Sequence, residues 1–114
     1  MIEFFVVGPG ALIIMFLIIL VYRLTESGKA KAERILTKAY NRFLLGNYGD
    51  CIDLCNKAVK LHPHWFAYQL KARSYFDMRE FKKARANANH SISLEPDPSA
   101  NYHSYMVIRQ LKGL

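Results

Sequence analysis

Residues 32–64 read AERILTKAYNRFLLGNYGDCIDLCNKAVKLHPH, and residues 65–97 read WFAYQLKARSYFDMREFKKARANANHSISLEPD. The two stretches carry one spaced pattern thirty-three positions apart. The first copy runs Ile35, Ala39, Gly46, Tyr48, Cys51, Cys55, Ala58, Pro63; the second runs Tyr68, Ala72, Tyr75, Phe81, Ala84, Ala88, Ser91, Pro96. In each, a bulky residue is followed four positions on by a small one, then by a turn with an aromatic. Small residues then recur at i, i+4 and i+7, and a proline closes the unit. That spacing predicts two antiparallel helices packed through small-residue notches, a unit that recurs by stacking.

Helix signals agree with the repeat. Ser27 is a helix-start candidate, and the first helix is expected over residues 29–45. Gly46 and Asn47 tolerate the left-handed conformation of a turn. A second helix is expected over 48–61, ended where His62 precedes Pro63, because a residue before proline is pushed out of helical geometry. Residues 65–77 and 80–94 form the second pair, stopped by Glu95 before Pro96. Asp97 followed by Pro98 reads as an N-cap with proline at the first helical position, predicting a fifth helix over 98–111. No strand signal is present.

On these residues the chain resembles the tetratricopeptide repeat family, whose period is about 34 residues. Ala39 and Ala72 match the small residues of each first helix, Tyr75 the aromatic after it, and Ala84, Ala88, Ala58 and Ser91 the contacts of the second helices. Departures are Lys38 and Lys71 in place of leucine, Arg42 in place of the aromatic, Arg79 in place of the turn glycine, and Cys55 and Ala88 in place of a large aromatic. The resemblance covers residues 32–96, or to 112 if the last helix caps the stack. It implies a scaffold that binds other proteins, through a concave groove lined by the first helix of each repeat. The groove positions are Leu36, Tyr40, Phe43 and Leu44 in the first repeat and Phe66, Gln69, Arg73 and Phe76 in the second, with Tyr102 and Tyr105 added by the capping helix. The family's lysine–asparagine carboxylate clamp is missing: Leu36, Thr37, Tyr40, Phe66 and Leu70 stand at the corresponding positions.

Ahead of the repeats, residues 4–22 contain no charge. Nineteen residues at about 1.5 Å each give roughly 28 Å, close to the roughly 30 Å hydrocarbon core of a bilayer. Tyr22 and Arg23 fit an interfacial aromatic and a positive stop. The start, Met1-Ile2-Glu3, is acidic and lacks the basic region of a signal peptide. The expectation is a single-pass anchor over residues 1–24 that contacts lipid through 4–22, a short hinge over 25–31, and repeats at 32–64 and 65–97. A capping helix and tail over 98–114 complete the all-α fold. Glu3 before the span and Arg23, Lys29, Lys31, Arg34 and Lys38 after it would place the C-terminal domain on the cytoplasmic side.

Charge and cysteine content narrow the chemistry. The chain carries 16 Lys and Arg against 9 Asp and Glu, a net charge of +7. Lys71, Arg73, Arg79, Lys82, Lys83 and Arg85 form a basic stretch. It reads first as a solvated face, then as a site for anionic headgroups or an acidic partner. Nucleic acid ranks last, for lack of a motif. Cys51 and Cys55 sit one helical turn apart at small contact positions, which reads as core packing; His62 and His64 follow but do not complete a metal set. His90 and His103 have no nucleophile arrangement around them, and no phosphate-binding glycine loop is present. Asn89-His90-Ser91 matches a glycosylation sequon but falls within a predicted helix.

The sequence therefore predicts a protein without enzymatic activity, cofactor, metal or small-molecule substrate. It is expected to be a membrane-anchored interaction module, an adaptor or assembly factor holding a protein partner in its groove. The alternatives are a permanent accessory subunit of a membrane complex and a targeting receptor for amphipathic helices.

Overall fold

A computed structural model describes residues 8–24 and 27–113, among which six helices and no strand occur. Helix α1 spans Pro9–Leu24, α2 Gly28–Leu44, α3 Tyr48–Leu61, α4 Trp65–Asp77, α5 Phe81–Leu94 and α6 Tyr102–Leu111. The expected repeats correspond to the pairs α2/α3 and α4/α5, with α6 packed on α4 and α5.

The turns inside the two pairs are the same turn. Asn47 N–H bonds the Arg42 carbonyl at 2.9 Å and Gly46 N–H bonds Phe43 at 3.0 Å; thirty-three residues on, Glu80 N–H bonds Tyr75 at 2.8 Å and Arg79 N–H bonds Phe76 at 3.0 Å. Both are Schellman closures, which need a left-handed residue after the helix cap. Gly46 has φ 78° and Arg79 φ 62°. The arginine that departs from the turn glycine thus takes up the glycine's conformation.

Small residues set how closely the helices approach. Ala32, Leu36, Ala39, Cys51, Cys55, Ala58, Ala67 and Leu70 form one buried cluster across α2, α3 and α4. Ala72, Ala84, Ala88, Val107 and Leu111 form a second across α4, α5 and α6. Alanines at the crossings let ridges enter grooves without large knobs. Gly28 marks a further close approach: a Cβ there would lie 2.9 Å from the Leu61 carbonyl oxygen. Ser27 caps α2, its hydroxyl accepting from Ala30 N–H at 3.1 Å.

Two expectations require correction. The first concerns the membrane. No helix among the described residues is long and apolar enough to cross a bilayer. Helix α1 begins at Pro9, where proline's missing N–H costs nothing, and its 16 residues rise only about 24 Å against a hydrocarbon core of about 30 Å. Residues 4–7 of the expected span lie outside the described residues. The single-pass anchor is not supported, and the cytoplasmic placement deduced from its flanking charges falls with it. Among the described residues helix α1 packs against none of α2–α6, and Leu12 through Tyr22 are 39–77% exposed.

The second correction concerns the start of α6, expected at Pro98 and found at Tyr102. Asp97 does accept from Ser99 N–H, at 3.0 Å, and from its hydroxyl, at 2.8 Å. The turn it forms closes at Asn101, whose N–H bonds the Asp97 carbonyl at 2.9 Å. Asn101 is fully buried. It accepts from Gln69 Nε2 at 3.0 Å and donates to Ser91 Oγ at 2.9 Å and to the Glu95 carbonyl at 3.1 Å. Ser91 in turn donates to the Trp65 carbonyl at 2.8 Å. These bonds fix where α6 begins.

Candidate partner-binding face

Helices α2, α4 and α6 occupy the positions of first helices in successive units, and two clefts open between them. The first, about 360 Å³, is walled by Leu36, Tyr40, Trp65 and Phe66, with Glu33, Thr37 and His64 at its edge. The Tyr40 and Phe66 rings stand 6.2 Å apart, and Trp65 meets Phe66 edge-on at 5.9 Å. His64 caps α4 by accepting from Phe66 N–H through Nδ1 at 3.1 Å. Burial, then the neighbouring His62, lowers its pKa, which favours the neutral ring that can accept this bond.

The second cleft, about 320 Å³, lies between Phe43, Arg73, Phe76 and Asp77 on one side and Tyr102, His103, Met106, Val107 and Gln110 of α6 on the other. The Arg73 guanidinium sits 4.4 Å from the Phe43 ring centroid, a cation–π contact. Tyr40 and Phe43 are three residues apart and Phe66 and Arg73 seven apart, so each pair shares one helix face. The two clefts therefore adjoin along α2 and α4.

Of the ten groove positions expected from sequence, seven line these clefts. Leu36, Tyr40 and Phe66 border the first, and Phe43, Arg73, Phe76 and Tyr102 the second. Leu36 is 5% exposed and belongs chiefly to the core. Gln69 is buried and committed to Asn101. Tyr105 donates its hydroxyl to the Pro96 carbonyl, and Leu44 is exposed without lining either cleft.

The basic stretch is dispersed. Lys71 lies 5.5 Å from the Tyr68 ring, about 200° around α4 from Arg73 at 100° per residue. Lys83 pairs with Glu80 at 4.0 Å, Arg85 donates to the Leu111 carbonyl at 3.4 Å, Lys82 is exposed and Arg79 occupies the turn. Only Arg73 of the six lines either cleft. Cys51 and Cys55 are fully buried within the cluster formed by α2, α3 and α4; the hydrogen bond that Cys55 donates to Cys51, and then burial, push the Cys55 thiol up, and the same bond lowers that of Cys51.

Sequence reasoning omits Trp65, His103 and Met106 from the site. Extending the thirty-three-residue register across α6 places Met106 in line with Tyr40 and Arg73, a signal that was legible. Trp65 aligns with Ala32 and has no counterpart in the repeat pattern.

The chain matches no protein-family model, no curated protein and no solved structure.

Proposed function

We propose that the chain is a protein-interaction module of the tetratricopeptide-repeat kind, an adaptor or assembly factor that receives a segment of a partner protein on the face formed by α2, α4 and α6. The observation that supports this reading most is the pair of adjoining, aromatic-lined clefts on that face, Tyr40, Trp65 and Phe66 around one and Phe43, Phe76 and Tyr102 around the other. Open apolar concavities rimmed by polar groups suit an extended or helical peptide. In this reading the protein performs no chemistry of its own.

Native purification of the full chain in mild detergent, with quantitative mass spectrometry of its companions, tests the reading. Companions held at fixed ratio should be lost from the double variant Tyr40→Ala, Phe76→Ala while its far-ultraviolet helicity is kept. Companions retained by that variant would remove the face from the account.

One observation favours a second reading, a permanent accessory subunit of a larger assembly. The apolar side chains of α1 from Leu12 to Leu20 are exposed, and among the described residues this helix packs against none of the others, so a stable complex would supply their cover. Replacing residues 12–21 with a polar helical sequence should then release the protein from its assembly; unchanged association would exclude this reading.

A further inference from the structure

Helix α2 carries Lys31, Arg34, Lys38 and Arg42, all exposed. At 100° per residue the four fall within an arc of about 80° and extend about 16 Å along the axis. Glu33 and Tyr40, which border the first cleft, point about 140° and 160° away from the centre of that arc. The basic stripe and the clefts therefore occupy different sides of α2. Between the stripe and α3 lies a hollow of about 340 Å³, lined by Lys38, Asn41, Arg42, Leu45 and Leu54. Two cations, an amide and two leucines line it, and no acid does. Lys57, one turn beyond Leu54, adds a fifth cation on this side. Asp50 and Asp53 of the same helix offset two, so the side keeps a net positive charge. Lys31, Lys38 and Arg42 are in no ion pair among the described residues.

We propose that this side of α2 and α3 rests on the surface of an anionic bilayer, with a phospholipid phosphate seated between Lys38 and Arg42. A lysine and an arginine one helical turn apart converge on a single anion, and Leu45 and Leu54 beside them suit an amphiphile better than a free ion. Helix α1 favours lipid over an acidic protein or a nucleic acid. It immediately precedes α2 in the chain, and its apolar side chains from Leu12 to Leu20 are exposed. One leaflet supplies apolar cover for α1 and anions for the stripe together, and the two contributions add. Contact with one leaflet asks for no helix long enough to cross the bilayer. Because the clefts face away from the stripe, a partner held in them stays clear of the lipid.

Flotation of the full chain with vesicles tests the proposal. The vesicles are phosphatidylcholine alone, or phosphatidylcholine with phosphatidylserine at about three to one. Helix α1 carries no acid or lysine and would enter both kinds alike, so the anionic preference reports the stripe. Partition into the anionic vesicles should be the stronger, and added salt should remove the difference. Lys38→Gln with Arg42→Gln should weaken anionic partition about 25-fold, about fivefold for each charge, and leave neutral partition as it was. Lys82→Gln with Lys83→Gln removes the same charge from α5, away from the stripe, and should weaken anionic partition no more than about twofold. Far-ultraviolet helicity equal to that of the unmodified chain excludes misfolding in both variants.

Equal partition into neutral and anionic vesicles would overturn the proposal. Equal losses from the two double variants would overturn it too, since net charge rather than the α2 stripe would then drive association. Polyglutamate or a DNA duplex bound by the full chain and released by Lys38→Gln with Arg42→Gln, without any preference for anionic vesicles, would assign the stripe to an acidic protein or a nucleic acid and overturn it as well.

Discussion

Gly46 and Arg79 stand at equivalent turns, and both hold a positive φ, a conformation costing a non-glycine residue about 1–2 kcal/mol. Arg79→Gly should therefore stabilise the protein by about 0.5–1 kcal/mol and Gly46→Ala destabilise it by about 1 kcal/mol, read as opposite shifts in urea midpoint. Equal effects of the same sign would mean that the two turns are not equivalent. At His64 the effect is electrostatic. Its lowered folded pKa means that the unfolded chain binds the proton first. Stability is then complete above the ordinary histidine value of 6.5 and falls as the pH drops below it. His103 is shifted in the same direction, by burial and then by Arg73. His64→Ser keeps a capping oxygen and should lose less stability than wild type between pH 7.5 and 5; parallel losses would show that the cap does not titrate. Residue by residue, legibility followed the period. Arg79 departs from the turn glycine in sequence, yet it holds the glycine's conformation and closes the same turn as Gly46. Leu36 and Gln69 were placed in the groove because a helical wheel shows which side a residue takes but not how closely the next helix covers it. Ala67 and Leu70 of α4 close over Leu36, and Asn101, thirty-two residues away in sequence, claims Gln69.

At the scale of elements, α3 and α4 have the bounds that the sequence predicts, and α2 and α5 differ by a single residue at their ends. Proline stops and the glycine turn encode those limits locally. His62 and Glu95, each before a proline, are extended, with ψ 111° and 94°. The start of α6 was not local information. Pro98 offers a sound helix start, but Asn101 is held by Gln69, Ser91 and the Glu95 carbonyl, and the turn that carries it there precedes the helix. Asn101→Leu should cost about 2–4 kcal/mol, because it leaves Gln69 and the Glu95 carbonyl unsatisfied. Adding Gln69→Leu should recover part of the loss by removing the orphaned amide. A double variant no more stable than Asn101→Leu alone would mean that the bond to Gln69 carries little of the effect. Apolar run length misled the reading of α1, since hydropathy does not mark where a helix begins and Pro9 does.

For the molecule as a whole, two helical pairs and a lone helix make a short stack, and stacks depend on their terminal units to cover the apolar side of the last pair. Helix α6 meets that need with Val107 and Leu111 buried on α4 and α5 and Arg109, Gln110 and Lys112 exposed. Truncation after residue 97 should therefore remove cooperative unfolding in a thermal scan rather than only lower the midpoint. A sharp two-state transition in the shortened chain would show that α2–α5 fold without their cap. The period made the stack legible, and the lining of the two clefts was less so, because which side chains stay open depends on how closely neighbouring helices cover them. The most direct measurement of the central claim is hydrogen–deuterium exchange of the full chain, free and bound to the companion retained in native purification. The account predicts slowed exchange in α2, in α4 and in α6, the helices that wall the two clefts, with α3 and α5 unchanged. Protection confined to α3 and α5, with the cleft helices exchanging as in the free protein, would contradict it.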